Sequence, residues 1–173
     1  MPDSSLIIIA DTNVLINFIR IDRLDLLADH SHQFVITEHV KEEITEHYTV
    51  QRKMLQEAIE GGVITEKIVN SLEALQLFGS LMNTGRIGAG ECSAIACAIC
   101  GNHKLAIDDK RAIKEARKRS SELDILGTQE LVVSMISEQL LTVSEADEIK
   151  ALWETKHRFK LKILSFGEII DFR

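Results

Sequence analysis

The run Leu6-Ile-Ile-Ile-Ala10 is uniformly apolar, largely β-branched and bounded by polar residues. A strand that does not alternate has no face suited to water. It must be covered on both sides, as strands are inside a parallel sheet with helices above and below. The remaining sequence must therefore supply two layers of helices. The run is far too short to cross a bilayer, and Asp3 stands where a secretory signal would carry basic residues. The expectation is a soluble, cytoplasmic protein with no membrane segment.

Helical spacing follows directly, with Leu15, Phe18 and Ile19, then Leu24, Leu26 and Leu27. Gln33 to Ile36 reads as a second strand, and Thr37 is placed to cap a helix that begins Glu38-His39-Val40. At about 100° per residue, Val40, Glu43, Ile44 and His47 share one face of that helix, whereas Glu38, Glu42 and Glu46 point away. Gly61-Gly62 marks a stop, Val63-Ile64 a short strand, and Ile68 to Met82 a helix with Val69, Leu72, Leu75 and Leu81 on its apolar stripe. After the glycine-rich turn Gly85 to Gly90, the stretch Glu91 to Cys100 is almost entirely alanine, cysteine and isoleucine. That composition predicts a helix packed on most sides. Lys104 to Ile107 reads as a strand ending at Asp108-Asp109, a basic helix follows, and Leu123 to Leu126 reads as one more strand before a helix opened by Gly127-Thr128. Ser144 is placed to cap a helix from Glu145 to Trp153. Strands alternating with helices define an α/β, three-layer α/β/α fold, in which ligands gather beyond the carboxyl ends of the strands.

A length of 173 residues suits one domain, residues 1–173, with one proline leaving little room for an extended linker. Cys92, Cys97 and Cys100 crowd one apolar segment, a poor layout for disulfides. The pattern Cys97-x-x-Cys100-x-x-His103, with Cys92 nearby, raises zinc, but spacing of three along an apolar helix is also plain core packing, the simpler reading. A net charge of −7 argues against holding nucleic acid by the overall field. The charge is uneven, however. Lys110, Arg111, Lys114, Arg117, Lys118 and Arg119 face a single acid, Glu115, and a second basic stretch runs through Lys156, Arg158, Lys160 and Lys162. Each stretch taken alone is equally a solvated face.

Asp11 follows the first strand and Asp108-Asp109 follow a later one, so these acids fall on the edge where ligands gather. Helix capping is the competing explanation for each. Glu43 lies among Val40 and Ile44, where a carboxylate that loses hydration must be paired, protonated or bound to metal; His47, one turn on, is one partner within reach. Glu91 opens a buried helix, a position the helix dipole also favours. If the acids converge, each close pair repels by about 4 kcal/mol at 4 Å with an effective dielectric near 20. A hard divalent cation relieves that repulsion, and all-oxygen ligands select Mg²⁺ or Mn²⁺.

The segment Ile9-Ala-Asp11-Thr12-Asn13-Val-Leu closely resembles the opening motif of PIN-domain nucleases, including the VapC-like toxin ribonucleases. Thr37-Glu-His-Val-Lys-Glu-Glu43-Ile resembles the second acidic motif, Gly88-Ala-Gly-Glu91-Cys-Ser-Ala-Ile the third, and Leu105-Ala-Ile-Asp-Asp109-Lys the fourth. The resemblance spans about Leu6 to Leu131 and implies a PIN-like fold with a central, mostly parallel sheet of four to five strands. It implies further that Asp11, Glu43, Glu91 and Asp109 are catalytic and carry Mg²⁺ or Mn²⁺, with Thr12 or Asn13 orienting the first aspartate or a water and Asp108 in a supporting role. The chain departs from compact toxin members at Ile107, where they often carry a hydroxyl residue, and in residues 143–173, a C-terminal extension to which the resemblance assigns no role.

The expected activity is metal-dependent hydrolysis of RNA phosphodiester bonds, with the bases after Asp109 (Lys110, Arg111, Lys114, Arg117 and Lys118) contacting phosphates. Toxin members of the family cut RNA inside cells, commonly as homodimers held by a small antitoxin, so a homodimer and an antitoxin are the expected protein partners. Two other readings stay open: a non-catalytic PIN-like scaffold that binds RNA or protein, and a structure-specific DNA nuclease.

Overall fold

The computed structural model describes residues 6–170; Asp3 and the last three residues of the C-terminal extension lie outside it. In chain order the elements are β1 (Ile7–Ala10), α1 (Thr12–Arg20), α2 (Asp25–Ala28), β2 (Gln33–Thr37), α3 (Glu38–His47), α4 (Arg52–Glu60), β3 (Ile64–Lys67) and α5 (Leu72–Asn83). They continue with α6 (Ala89–Gly101), β4 (Lys104–Ala106), α7 (Lys110–Arg119), β5 (Ile125–Leu126), α8 (Thr128–Ser137), α9 (Val143–Lys156) and α10 (Phe166–Ile170). The strands form one five-stranded sheet in the order β3-β2-β1-β4-β5, and every neighbouring pair is parallel. Among the described residues, no helix is long and apolar enough to cross a membrane.

β1 is the central strand, with Ile9 in register with Val35 on one side and Leu105 on the other. Its side chains alternate between two cores. Ile8 and Ala10 join Phe18, Phe34, Leu131 and Trp153 on one face of the sheet, and Ile9 joins Cys92, Ile95 and Leu105 on the other. Ile8 and Ile9 are both 0% exposed, so neither face meets water. That accounts for the unalternating apolar run, and each fully buried isoleucine contributes roughly 1.5–3 kcal/mol. The architecture is the three-layer α/β/α, PIN-like arrangement. Because all five strands are parallel, their carboxyl ends lie along one edge, and the chain leaves β1 toward β2 on one side while β4 lies on the other. This reversal is a topological switch point, where such sheets hold ligands.

Local signals placed some boundaries and misplaced others. Thr37 caps α3 as expected, its Oγ1 accepting from the Val40 amide at 3.3 Å. The cap of α9 is Thr142 rather than Ser144. Thr142 Oγ1 accepts from the Glu145 amide and Glu145 accepts from the Thr142 amide, a reciprocal pair that Thr-x-x-Glu encodes and that Ser144 lacks. The helix expected from Ile68 begins only at Leu72, where Ser71 accepts from the Ala74 amide. Its apolar stripe is also rotated: Leu72 and Leu75 are 71% and 48% exposed, while Ala74 and Leu81 are buried. The last strand is shorter than Leu123–Leu126, although the Asp124 carbonyl still receives the Leu105 amide.

Residues from Val143 onward are part of the larger core. Trp153 is 0% exposed, meets Phe18 edge-on at 5.7 Å between ring centroids, and donates from Nε1 to the Asn17 carbonyl at 2.8 Å. Phe166 is equally buried, its amide held by Asp147. Trp153→Ala is expected to destabilise the protein by about 3–5 kcal/mol in urea denaturation. A loss below roughly 1 kcal/mol would show that α9 merely rests on the domain.

Candidate active site

The parallel sheet delivers acids to its carboxyl edge from four elements. Asp11 follows β1 and precedes α1, its amide donating to the Ala106 carbonyl of β4 at 2.9 Å. Its side chain is 1% exposed, and Oδ2 has no hydrogen-bond partner. Burial pushes the Asp11 carboxyl up to about 7, reinforced by the charges of Glu91 and then Glu43; the Thr12 and Asn13 backbone amides pull the other way. Glu91, on the first turn of α6, is raised by burial first and by Asp109 and Glu43 after it, against the Gly88 amide and Arg111. The four acids picked from the sequence therefore act on one another. Among the described residues, no three of them bring oxygens mutually within 4.8 Å.

Glu43 is half-buried, with its carboxylate against the backbone of Gly90. A Cβ built on Gly90 would lie 2.4 Å from Glu43 Oε2, so the placement of the Glu43 carboxylate, rather than the packing of α3 on α6, requires glycine at this position. His47, expected on the same inner face, is exposed and lies beside Glu46 instead, because α3 ends there and its last turn has left the core. It is no partner for Glu43.

Capping and site roles coincide here. Glu91 Oε2 accepts from the Gly88 amide at 3.1 Å, and Asp109 Oδ1 accepts from the Ala112 amide at 2.9 Å, capping α6 and α7. A carboxylate has lone pairs beyond the one that a cap uses. Asp108 points elsewhere: Oδ1 accepts from the Thr128 amide at 2.8 Å and Oδ2 from the Thr128 hydroxyl at 2.6 Å, which in turn receives Asn17 at 3.2 Å. Asp108 thus ties β4 to the start of α8. Asn17 and Thr128, missed in the sequence, complete this network; the only local signal was Thr128 at the opening of a helix.

Thr12 is buried and its hydroxyl has no partner, whereas Asn13 is exposed and accepts from the Tyr48 hydroxyl at 3.5 Å. Of the five bases assigned to phosphate contact, Lys110, Arg111 and Lys114 are exposed and make no ion pair with a described residue. Lys118 instead joins Arg86 on the buried Glu115, each at 2.9 Å, holding that carboxyl below its ordinary range. Arg117 donates to the carbonyls of Ser121 and Leu123, closing the loop after α7.

The residues present fit a hard divalent cation. A nearly inaccessible carboxylate oxygen with no donor and a buried hydroxyl with none beside it are costly unless a ligand satisfies them, and the donor set is all oxygen. Asp11, Glu43, Glu91 and Asp109 are the residues that would hold it.

A second cluster, His30, His32 and Glu138, lies at the opposite edge of the sheet, before β2. His30 Nδ1 accepts from the His32 amide at 3.0 Å, so Nε2 carries the proton and reaches Ser134 Oγ at 2.9 Å. Those bonds satisfy the ring as a structural histidine. The cysteines are free, with burial pushing Cys92 up to about 11 and Cys97 and Cys100 upward as well. Among the described residues, no three of Cys92, Cys97, Cys100 and His103 bring ligand atoms mutually within 4.8 Å.

A family model described as PIN domain matches residues 7–166, and the chain belongs to the PIN-domain family. No curated protein matches it. Among solved structures, it is similar to a chain in the crystal structure of VapBC2 from Rickettsia felis bound to a DNA fragment from their promoter, with TM-score 0.48 and 19% identity over 70% of this chain and 98% of that one.

Gly90→Ala is expected to leave the fold within about 1 kcal/mol of wild type, because the atom it displaces is the end of a flexible side chain. It should nevertheless weaken Mn²⁺ binding measured by calorimetry roughly tenfold or more; unchanged affinity would remove Glu43 from the cation site. Since the folded-state value of Asp11 lies above its ordinary 3.8, the folded protein binds that proton more tightly than the unfolded chain. Metal-free stability should therefore fall as pH rises from about 4 to about 7 and level off above, by at most on the order of 4 kcal/mol from this group. Urea denaturation in EDTA across that range should show the fall in wild type and a flatter profile in Asp11→Asn.

Proposed function

We propose that the protein is a metal-dependent endoribonuclease whose centre is Asp11, Glu43, Glu91 and Asp109. The observation that carries this reading is the convergence of those four acids at the switch point of the sheet, with Asp11 Oδ2 buried and unpartnered. Mg²⁺ or Mn²⁺ bound there supplies charge neutralisation for a phosphodiester and lowers the pKa of water.

The rest of the chemistry belongs to the chain. Asp11 is kept dry by β1 and α1, so its charge is unscreened and its carboxylate is rigidly placed. Gly90 lets Glu43 come within reach of Glu91, and the caps at Gly88 and Ala112 fix the rotamers of Glu91 and Asp109. Asp108, bonded to Thr128, sets the direction in which the chain leaves β4 and hence where Asp109 stands. Arg111 offsets part of the negative charge at Glu91, and Lys110 and Lys114 on the same helix are free to meet backbone phosphates.

Within this reading the protein acts in the cell interior as the toxin of a toxin–antitoxin pair, with a small antitoxin and a second copy of itself as partners. Sedimentation or size-exclusion measurements across a concentration range test the second copy. The catalytic test is cleavage of a mixed RNA pool in Mn²⁺, Mg²⁺ or EDTA, with a DNA pool alongside. RNA products are expected with either metal and none in EDTA, and Asp11→Asn and Asp109→Asn should each lower the rate about a hundredfold or more. Cleavage of DNA in preference to RNA would reassign the substrate. Absence of cleavage together with absence of metal binding by calorimetry would make the protein a scaffold.

A further inference from the structure

Several of the bases not engaged in ion pairs border the acidic edge of the sheet. Arg158, Lys160 and Lys162, together with Arg20 of α1 and Lys110 of α7, are exposed and enter no ion pair with a described residue. After α9 the chain alternates: Phe159 and Leu161 turn into the larger core, while Arg158, Lys160 and Lys162 face outward. Phe159 is anchored by its amide, which donates to the Trp153 carbonyl at 3.1 Å, and by its ring, edge-on to Trp153 at 5.4 Å. Arg158 sits at φ 53°, a conformation that non-glycine residues adopt at some cost and that surrounding structure must enforce.

This segment borders the catalytic edge. A surface cavity of about 290 Å³ is lined by Asp108 and Asp109 together with Arg20, His157, Arg158 and Phe159. A second, of about 480 Å³, is lined by Asp108 and Phe159 again, with Lys110, Arg117, Lys160 and Lys162. Phe159 and Asp108 border both, so the two cavities lie side by side next to Asp109, and together they are the groove meant below.

We propose that residues 157–162, with Arg20, form the phosphate-binding wall of this groove, and that its occupant is the single-stranded RNA segment adjoining the scissile bond. The inference rests on the nuclease reading for the direction in which the strand runs. In a protein of net charge −7, a row of unpaired bases beside the acids makes a local field that a polyanion, not the protein's own acids, complements. Phe159 is half-buried, packed on Trp153, and borders both cavities, so its remaining surface is the apolar contact offered there to an unpaired base, which a base inside a duplex could not reach. The C-terminal segment therefore holds substrate as well as completing the core.

The test is fluorescence anisotropy with a labelled single-stranded RNA and a hairpin duplex of matching sequence, in EDTA, on Asp11→Asn protein so that nothing is cut. Adding Arg158→Ala, Lys160→Ala and Lys162→Ala together should weaken single-strand binding about tenfold or more and reduce the slope of log affinity against log salt by roughly 2. The Lys53→Ala control, on the exposed face of α4, should bind like its parent. The three side chains are exposed, and far-UV circular dichroism with thermal melting confirms that the variants are folded. Binding within roughly twofold of the parent with an unchanged slope would overturn the groove, and equal binding of single strand and duplex would overturn the stacking role of Phe159. Metal-dependent RNA cleavage by wild type alongside unchanged binding by the triple variant defeats this inference and spares the nuclease. Binding that depends on these bases, with no cleavage under any metal, defeats the nuclease and spares the groove.

Discussion

The fold depends on burying β1 from both sides. Ile8 and Ile9 point in opposite directions and both are dry, so helices must cover both faces of the sheet, and the connections that place them there make every strand parallel. Parallel strands end together. The residue after β1 is consequently drawn to the same edge as the residues after β2 and β4, and because β1 is central, Asp11 stands at the middle of that edge. The meeting of these acids is a by-product of the way the core is closed.

That placement sets stability against chemistry. Asp11 is held where water cannot reach Oδ2, among other acids, and its carboxyl is pushed toward neutrality by the burial that positions it. Structure elsewhere sustains the arrangement: the Asp108–Thr128–Asn17 network fixes the exit of β4, the caps on α6 and α7 orient Glu91 and Asp109, and Trp153 closes the core beneath α1. A cation-ready cluster of this kind survives in the fold because the two cores, not the site, supply the net stability.

Much of this was legible beforehand because it was written in local patterns. A five-residue apolar run without alternation means a two-sided strand; an acid just past it means the functional edge; Ala-Cys-Ile composition after Glu91 means a buried helix. The readings that failed depended on distant contacts. His47 has the right angle on α3 but is the last residue of that helix and is exposed beside Glu46. Leu72 and Leu75 have core-like spacing, yet Ala74 and Leu81 are the residues of α5 that are buried, because α5 packs against α6 and that neighbour decides which side is covered. Lys118 and Arg117 look identical to Lys110 and Lys114 in sequence, but a buried Glu115 and two loop carbonyls claim them.

The sequence by itself determined the layer architecture and the family, and it singled out four acids that the fold brings to one edge, because strand patterning and residues at strand ends are properties of neighbours along the chain. Only the tertiary structure decided that Asp108 braces β4 against α8 while Asp109 acts on Glu91, that Glu43 as placed needs Gly90 opposite it, and that residues after Val143 belong to the core and border Asp108 and Asp109. Each of those facts joins residues far apart in sequence, whose proximity is set by how helices pack on the sheet, and no local periodicity encodes it.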